Sequence, residues 1–179
     1  VFNVIYNDPG EIIEFQDLGD ELNLSRNTVS YILNCLENSF LIKKLYNFSR
    51  NNRKVERKLK KYYSYLINPY IIKTNFGAVF ETFMVINSDA EYFWRDSFKN
   101  EVDIVLTGGG GKIEGIEIKS GKIKKDAINS LKTFIKYFDL NTDNVRIISF
   151  DTKDKKEDVE IIPFYEYFLD NKENQKKGA

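Results

Sequence analysis

Four residues in the second half of the chain have the types and spacing to hydrolyse a phosphodiester: Glu81, Asp103, Glu117 and Lys119. In Glu101-Val-Asp-Ile-Val-Leu106, strand alternation puts Val102, Ile104 and Leu106 on one face and Asp103 on the other. In Ile113-Glu-Gly-Ile-Glu-Ile-Lys119, Ile116 and Ile118 share a face opposite Glu117 and Lys119. If these strands pair as a hairpin, Asp103, Glu117 and Lys119 converge. Two carboxylates on adjacent strands can hold Mg²⁺ (or Mn²⁺), which polarises a phosphodiester and acidifies an attacking water. The Lys119 ammonium can then stabilise the charge that develops on phosphorus or orient that water. Glu81 is the only charge in the helical stretch Phe76-Gly-Ala-Val-Phe-Glu-Thr-Phe-Met-Val-Ile86 and by itself reads as a surface residue. On a helix packed against this sheet, it can instead complete the metal shell or hold a metal-bound water.

Composition narrows the alternatives. The 179 residues include no histidine, which excludes Ser-His-Asp and Cys-His nucleophiles, His-ligated zinc and imidazole acid/base catalysis. A single cysteine, Cys35, excludes an internal disulfide or a four-cysteine site, and its place among apolar neighbours predicts a small buried thiol. The run Thr107-Gly-Gly-Gly-Gly-Lys112 lacks the spacing of a phosphate-binding loop, since Ile113 stands where a hydroxyl residue is needed. It reads as a flexible hairpin turn, and no nucleotide site is expected. No run nears the roughly 20 apolar residues of a membrane span, so no membrane partner and a cytoplasmic location are expected. The chain starts at Val1 and its only methionine is Met84, which predicts a processed product or a piece of a longer protein.

The elements that position the site follow a segregated first half. Lys+Arg and Asp+Glu balance at 27 each, yet residues 1–42 carry seven acids against one base, and residues 43–61 nine bases against one acid. Phe15–Leu22 reads as a short amphipathic helix, Asn23-Leu24 as a turn, and Ser25 as the N-cap of a helix from Arg26 to about Asn38. Val29, Ile32, Leu33 and Leu36 form that helix's inward stripe, leaving Asn27, Thr28, Tyr31 and Asn34 outside it. Phe40–Tyr46 and Tyr62–Ile67 then alternate like the strands of a hairpin around a basic wing. The whole is a winged helix-turn-helix, residues 1–73. Arg26, Asn27 and Thr28 on the helix, and Arg50, Arg53, Lys54, Arg57 and Lys58 on the wing, are candidate DNA contacts. The wing is expected to be the main element, because Lys and Arg supply the phosphate-binding part of affinity.

Phe80-Glu81, Phe93-Trp94-Arg95, Glu101-Val-Asp103 and Glu117-Ile-Lys-Ser-Gly121 together resemble the PD-(D/E)xK nuclease superfamily. More closely, they resemble the C-terminal region of prokaryotic AAA+-type ATPases that contain the DUF4143 domain. The resemblance spans roughly residues 15–165. It implies a winged helix followed, over residues 74–170, by a restriction-endonuclease-like mixed β-sheet flanked by helices, an α/β (α+β) fold. It also implies that Lys122 and Lys124, at the start of the helix after the third strand, lie beside the active site and contact DNA backbone. Asp103 follows Val102, where the strict pattern has proline. The ATPase module would lie upstream in a longer protein or act in trans. Asp126–Phe138 reads as an amphipathic helix, Val145–Phe150 and Val159–Ile162 as strands, and Pro163 as the start of a last helix. Residues 171–179 read as a disordered tail. The expected function is a Mg²⁺-dependent DNA endonuclease module. The alternative is a non-catalytic DNA-binding or protein-interaction domain regulating an ATPase.

Overall fold

The computed structural model describes residues 1–51, Val55 and residues 59–169. The chain opens with three helices, α1 (Phe2–Asn7), α2 (Phe15–Leu22) and α3 (Arg26–Asn38). Ser25 caps α3, its Oγ accepting the Thr28 backbone N–H at 3.1 Å. Asn23 takes the left-handed conformation (φ 54°) that ends α2 and makes the tight turn. The inward faces of these helices, with Ile5, Leu18, Val29 and Leu33, pack on Ile42 and Tyr62 of the hairpin that follows. Cys35 corrects the expectation of a buried thiol. It is exposed, because Leu33 and Val29 define the inward stripe and position 35 is turned away from them.

Strands β1 (Ile42–Asn47) and β2 (Lys60–Ser64) pair antiparallel, with Lys43 opposite Tyr63 and Leu45 opposite Lys61. Two helices, α4 (Pro69–Thr74) and α5 (Phe76–Ile86), lead into β3 (Tyr92–Arg95), β4 (Glu101–Thr107) and β5 (Ile113–Lys119). Then come α6 (Lys125–Phe138), β6 (Val145–Ser149), β7 (Asp154–Lys156) and β8 (Val159–Pro163), with residues 164–169 helical. Pro163 closes β8 before that last helix begins. All eight strands form one mixed sheet in the order β2-β1-β3-β4-β5-β6-β8-β7, with β1–β3, β5–β6 and β6–β8 parallel. The fold is α+β. The hairpin of the first half is therefore continuous with the sheet of the second, joined where Tyr46 and Asn47 pair with Tyr92 and Phe93.

Helices cover both faces. On one side, Ile128, Leu131, Phe134 and Phe138 of α6 pack on Trp94, Val102, Val105, Ile113 and Ile147. On the other, Phe80, Met84 and Val85 of α5 pack on Leu45, Tyr63, Phe93, Ile104, Ile116 and Ile118. Each large side chain buried this way stabilises the fold by roughly 1.5–3 kcal/mol, so α5 and α6 are firmly seated. Val102 and Ile104 sit in different clusters, which corrects the expected single face for Val102, Ile104 and Leu106. The reason is a bulge. Trp94 pairs with Val102 but Tyr92 with Val105, so β4 carries one extra residue in the interval that holds Asp103. The glycine-rich connector closes the β4–β5 hairpin as a short 3₁₀ turn, Gly109–Gly111.

Candidate active site

The bulge aims Asp103 at the neighbouring strand. Ile104 pairs with Ile116 in the antiparallel β4–β5 ladder, and continuing that register by one residue sets Asp103 opposite Glu117. Asp103 Oδ2 accepts the Ile118 backbone N–H at 2.7 Å, which fixes its orientation. Glu117 Oε1 lies 2.7 Å from Lys119 Nζ, and Asp103 Oδ2 lies 3.9 Å from the same nitrogen. Asp103 and Glu117 are each 6% exposed, whereas the Lys119 side chain is 35% exposed and reaches the solvent side of the pair. The expected trio is thus brought together in one place. Glu117 Oε2 is buried and accepts no hydrogen bond. A buried carboxylate oxygen left without a donor is costly, so it marks a position where a cation or a proton belongs.

Glu81 reaches the same region from α5 but is held by other groups. Its Oε1 accepts from Tyr63 Oη at 2.8 Å and lies 3.3 Å from Lys61 Nζ. Lys61 also contacts Glu101 Oε1 at 2.5 Å, and Glu101 Oε2 pairs with Arg95 Nη1 at 3.2 Å. In the sequence Lys61 stands only as one of the nine bases of residues 43–61, and Tyr63, Glu101 and Arg95 carry no assigned role in the site. The available signal was strand periodicity, since Lys61 and Tyr63 at i, i+2 on β2 must face the same way. Gly10 presses on this tier. A Cβ there would lie 3.0 Å from Tyr63 Cε1 and 3.2 Å from Glu81 Oε1, and its φ of +84° suits glycine alone.

Burial and mutual repulsion set the proton affinities. Burial raises Glu117 well above the ordinary carboxylate range, with Asp103 adding to it against the pull of Lys119. Burial, then Asp103, pushes Glu81 up to about 6 although Lys61 and Tyr63 oppose them. Burial alone would lower Lys61 and Lys119. The carboxylates outweigh it: Glu81, Asp103 and Glu101 hold Lys61 above its usual value, and Asp103 with Glu117 does the same for Lys119. Both amines therefore stay charged at neutral pH.

A carboxyl raised in the folded state contributes stability that is complete below its unfolded value and is lost as pH rises through the folded one. For Glu81 that window runs from 4.5 to about 6. Thermal unfolding without divalent ions is expected to show a decline across this window that Glu81→Gln flattens. At pH 7.5, adding Mg²⁺ is expected to raise the melting temperature, because an ion bound only by the folded state shifts the equilibrium toward it. A melting temperature at pH 7.5 that ignores Mg²⁺ would contradict the assignment.

Two open clefts flank the site. One, of about 440 Å³, is lined by Gly10, Lys61, Asn75, Glu81, Lys119 and Lys122 among others. The second, of about 480 Å³, is lined by Glu81, Lys99, Asp103, Glu117, Lys119, Lys122 and Lys124, with α6 behind it. Lys122 and Lys124 thus stand at the carboxylates. The other candidate DNA contacts lie elsewhere. Arg26, Asn27 and Thr28 are exposed on the first turn of α3. Arg50 donates to the Phe138 carbonyl at 2.6 Å and sits over the Phe138 ring, which ties it to the end of α6. Arg53, Lys54, Arg57 and Lys58, and the tail at 171–179, lie outside the described residues.

As a donor set the site suits a hard cation held by few protein ligands. Among the described residues no three His, Cys, Asp or Glu side chains are grouped to hold a metal ion. Asp103 and Glu117 remain, and two carboxylates with the rest of the shell left to water and phosphate is the usual way Mg²⁺ is bound. The unpaired Oε2 of Glu117 agrees with that fit. Among the described residues, no helix is long and apolar enough to cross a membrane. A family model described as a domain of unknown function, DUF4143, matches residues 76–167, and another, DUF8612, also a domain of unknown function, matches residues 1–69. No curated protein and no solved structure matches the chain.

Proposed function

The chain belongs to the DUF4143 family, and from that premise we propose that it is a metal-dependent phosphodiesterase module acting on DNA. The observation that carries this reading is the buried, donor-free Oε2 of Glu117 beside Asp103, with the Lys119 ammonium on their solvent side. Asp103 and Glu117 are the residues that would hold Mg²⁺ or Mn²⁺. When bound, such an ion supplies Lewis acidity and a more acidic water. Ile118 N–H keeps Asp103 in place while its remaining oxygen stays open to a ligand. Lys119, held at 2.7 Å from Glu117, presents its ammonium to negative charge entering the cleft. Lys122 and Lys124 line that cleft and provide phosphate contacts on the approach. Such a domain would serve a partner ATPase, in the same polypeptide or in trans, in a cytoplasmic setting.

The test is to incubate purified protein with supercoiled, branched and single-stranded DNA plus Mg²⁺ or Mn²⁺. Cleavage that chelation with EDTA abolishes is expected. Equal product with and without EDTA would refute a metal-dependent site.

A second reading concerns the N-terminal helices. Asp8, Glu11, Glu14, Asp17, Asp20 and Glu21 are all exposed there. Six carboxylates on or before α2 repel phosphates, which favours a protein-contact role for this unit; Asp8 and Glu11 line the first cleft, so DNA is left to the second, lined by Lys99, Lys122 and Lys124.

A further inference from the structure

The carboxylates of the site are not equivalent. Glu117 Oε2 has no donor, but Glu81 and Glu101 are already compensated by protein groups. The Lys61 ammonium sits 2.5 Å from Glu101 Oε1 and 3.3 Å from Glu81 Oε1, with its side chain only 6% exposed and 5.5 Å from the Phe93 ring centroid. Tyr63 completes Glu81 at 2.8 Å and Arg95 completes Glu101 at 3.2 Å. A divalent ion shared by Glu81 and Glu101 would need oxygens about 2.0–2.1 Å away. It would therefore have to displace an ammonium that is already there and already desolvated.

Charge gives the same answer. Four carboxylates (Glu81, Glu101, Asp103 and Glu117) face three cations (Lys61, Arg95 and Lys119), a net charge of −1 with all of them ionised. One divalent ion takes the cluster to +1 and two take it to +3. Uncompensated charge of that size is disfavoured around side chains as buried as Lys61, Asp103 and Glu117.

We infer that Lys61 is a built-in substitute for a second metal ion, so that the site takes a single divalent cation, at Asp103 and Glu117. This rests on the metal-dependent reading above and specifies it. It also gives the β1–β2 hairpin a part in the site. Lys61 lies within the segment matched by DUF8612, so one unit sets the metal count of a site whose ligands lie in the other. Two-metal phosphodiester chemistry clamps the attacking and leaving oxygens between ions roughly 3.5–4 Å apart. An ammonium neutralises the second carboxylate pair without offering a coordination position. Lys119 would then be the chain's own cation facing the phosphate, beside the one ion that Asp103 and Glu117 would hold.

The test counts bound ions and does not depend on activity. Free Mn²⁺ is measured by electron paramagnetic resonance at increasing total Mn²⁺ for wild type, Lys61→Met, Lys61→Arg and Glu101→Gln. Wild type, Lys61→Arg and Glu101→Gln are expected to bind one ion per chain, and Lys61→Met two, the second more weakly. Two ions on wild type, or only one on a folded Lys61→Met, would overturn the inference and leave the hydrolase reading standing. No ion on wild type would remove that reading and the inference with it. If Lys61→Met does not fold, Lys61→Gln, which also removes the charge, takes its place in the count, with two ions again expected and one ion overturning the inference.

Discussion

Lys119→Met is expected to slow metal-dependent DNA cleavage by about 10²–10³-fold, the usual effect of removing one preorganised charge from a site of this kind. Methionine keeps the length of the aliphatic stem and removes only the ammonium. The loss should fall on kcat, because Lys119 meets charge that develops during reaction, while Lys122 and Lys124 keep their approach to the backbone. Metal binding should persist. The Glu117 and Asp103 oxygens lose a competing cation 2.7 and 3.9 Å away, so the ion need not share them. Single-turnover cleavage at saturating DNA, measured beside Mn²⁺ binding, separates these effects. A variant that cleaves at the wild-type rate would remove Lys119 from the mechanism.

The second large effect is structural and sits two residues before Glu117 on β5. Gly115→Ala is expected to destabilise the protein by about 2–3 kcal/mol, a fall in melting temperature of roughly 5–10 °C for a chain of this size. A Cβ at Gly115 would lie 2.7 Å from Phe134 Cε1 and 3.0 Å from Cδ1, closer than atoms can approach. Neither partner can yield. Phe134 is fully buried, with its ring centroid 5.4 Å from Trp94 and 4.9 Å from Phe138. Gly115 is pinned between Val105 on β4 and Val145 on β6. Phe134→Leu in the same chain should recover part of the loss, since the ring edge that clashes is gone. Gly109→Ala, where an added Cβ meets nothing within 4 Å, is the control expected to leave the melting temperature unchanged. Calorimetry or circular dichroism on wild type, Gly115→Ala, Phe134→Leu and the double variant closes the cycle, with Gly109→Ala measured beside them. If Gly115→Ala and Gly109→Ala melt together, the close packing of α6 on β5 is wrong. Because β5 carries Glu117 and Lys119, the same substitution should also weaken the site.

Glu117 and Lys119 were legible because alternation holds along β5, and Asp103 because its strand pairs with β5 in a hairpin close in sequence. Phe15–Leu22, the Ser25 cap and Phe76–Ile86 were legible for similar local reasons. What escaped depends on long-range pairing. That β1 joins β3 in parallel cannot be read from alternation, so the hairpin looked like a free wing and Lys61 like one solvated base among nine. Its neighbours Glu81 and Glu101 lie 20 and 40 residues away in the chain. The bulge in β4 was equally hidden, since it arises from pairing with β3 and shifts Val102 off the expected face. Cys35 shows the limit of composition: apolar neighbours in sequence do not place a residue on the inward face of a helix. Arg50 shows the same limit for charge, because a guanidinium in a basic run can be spent on one carbonyl and one aromatic ring.

A hydrolytic metal site at Asp103 and Glu117, with Lys119 beside it, makes the charge of the Asp103 carboxylate indispensable. Asp103→Asn tests it most directly, because an amide oxygen can still accept the Ile118 N–H and so preserve the local geometry while the ligand charge is lost. Wild type and Asp103→Asn, purified in parallel, would be compared for cleavage of supercoiled DNA over a Mg²⁺ titration. The expected result is cleavage that saturates with Mg²⁺ for wild type and is at least about 10²-fold slower for the variant, with unchanged melting behaviour in EDTA. Equal cleavage by the two proteins would trace the activity to another source and contradict the account.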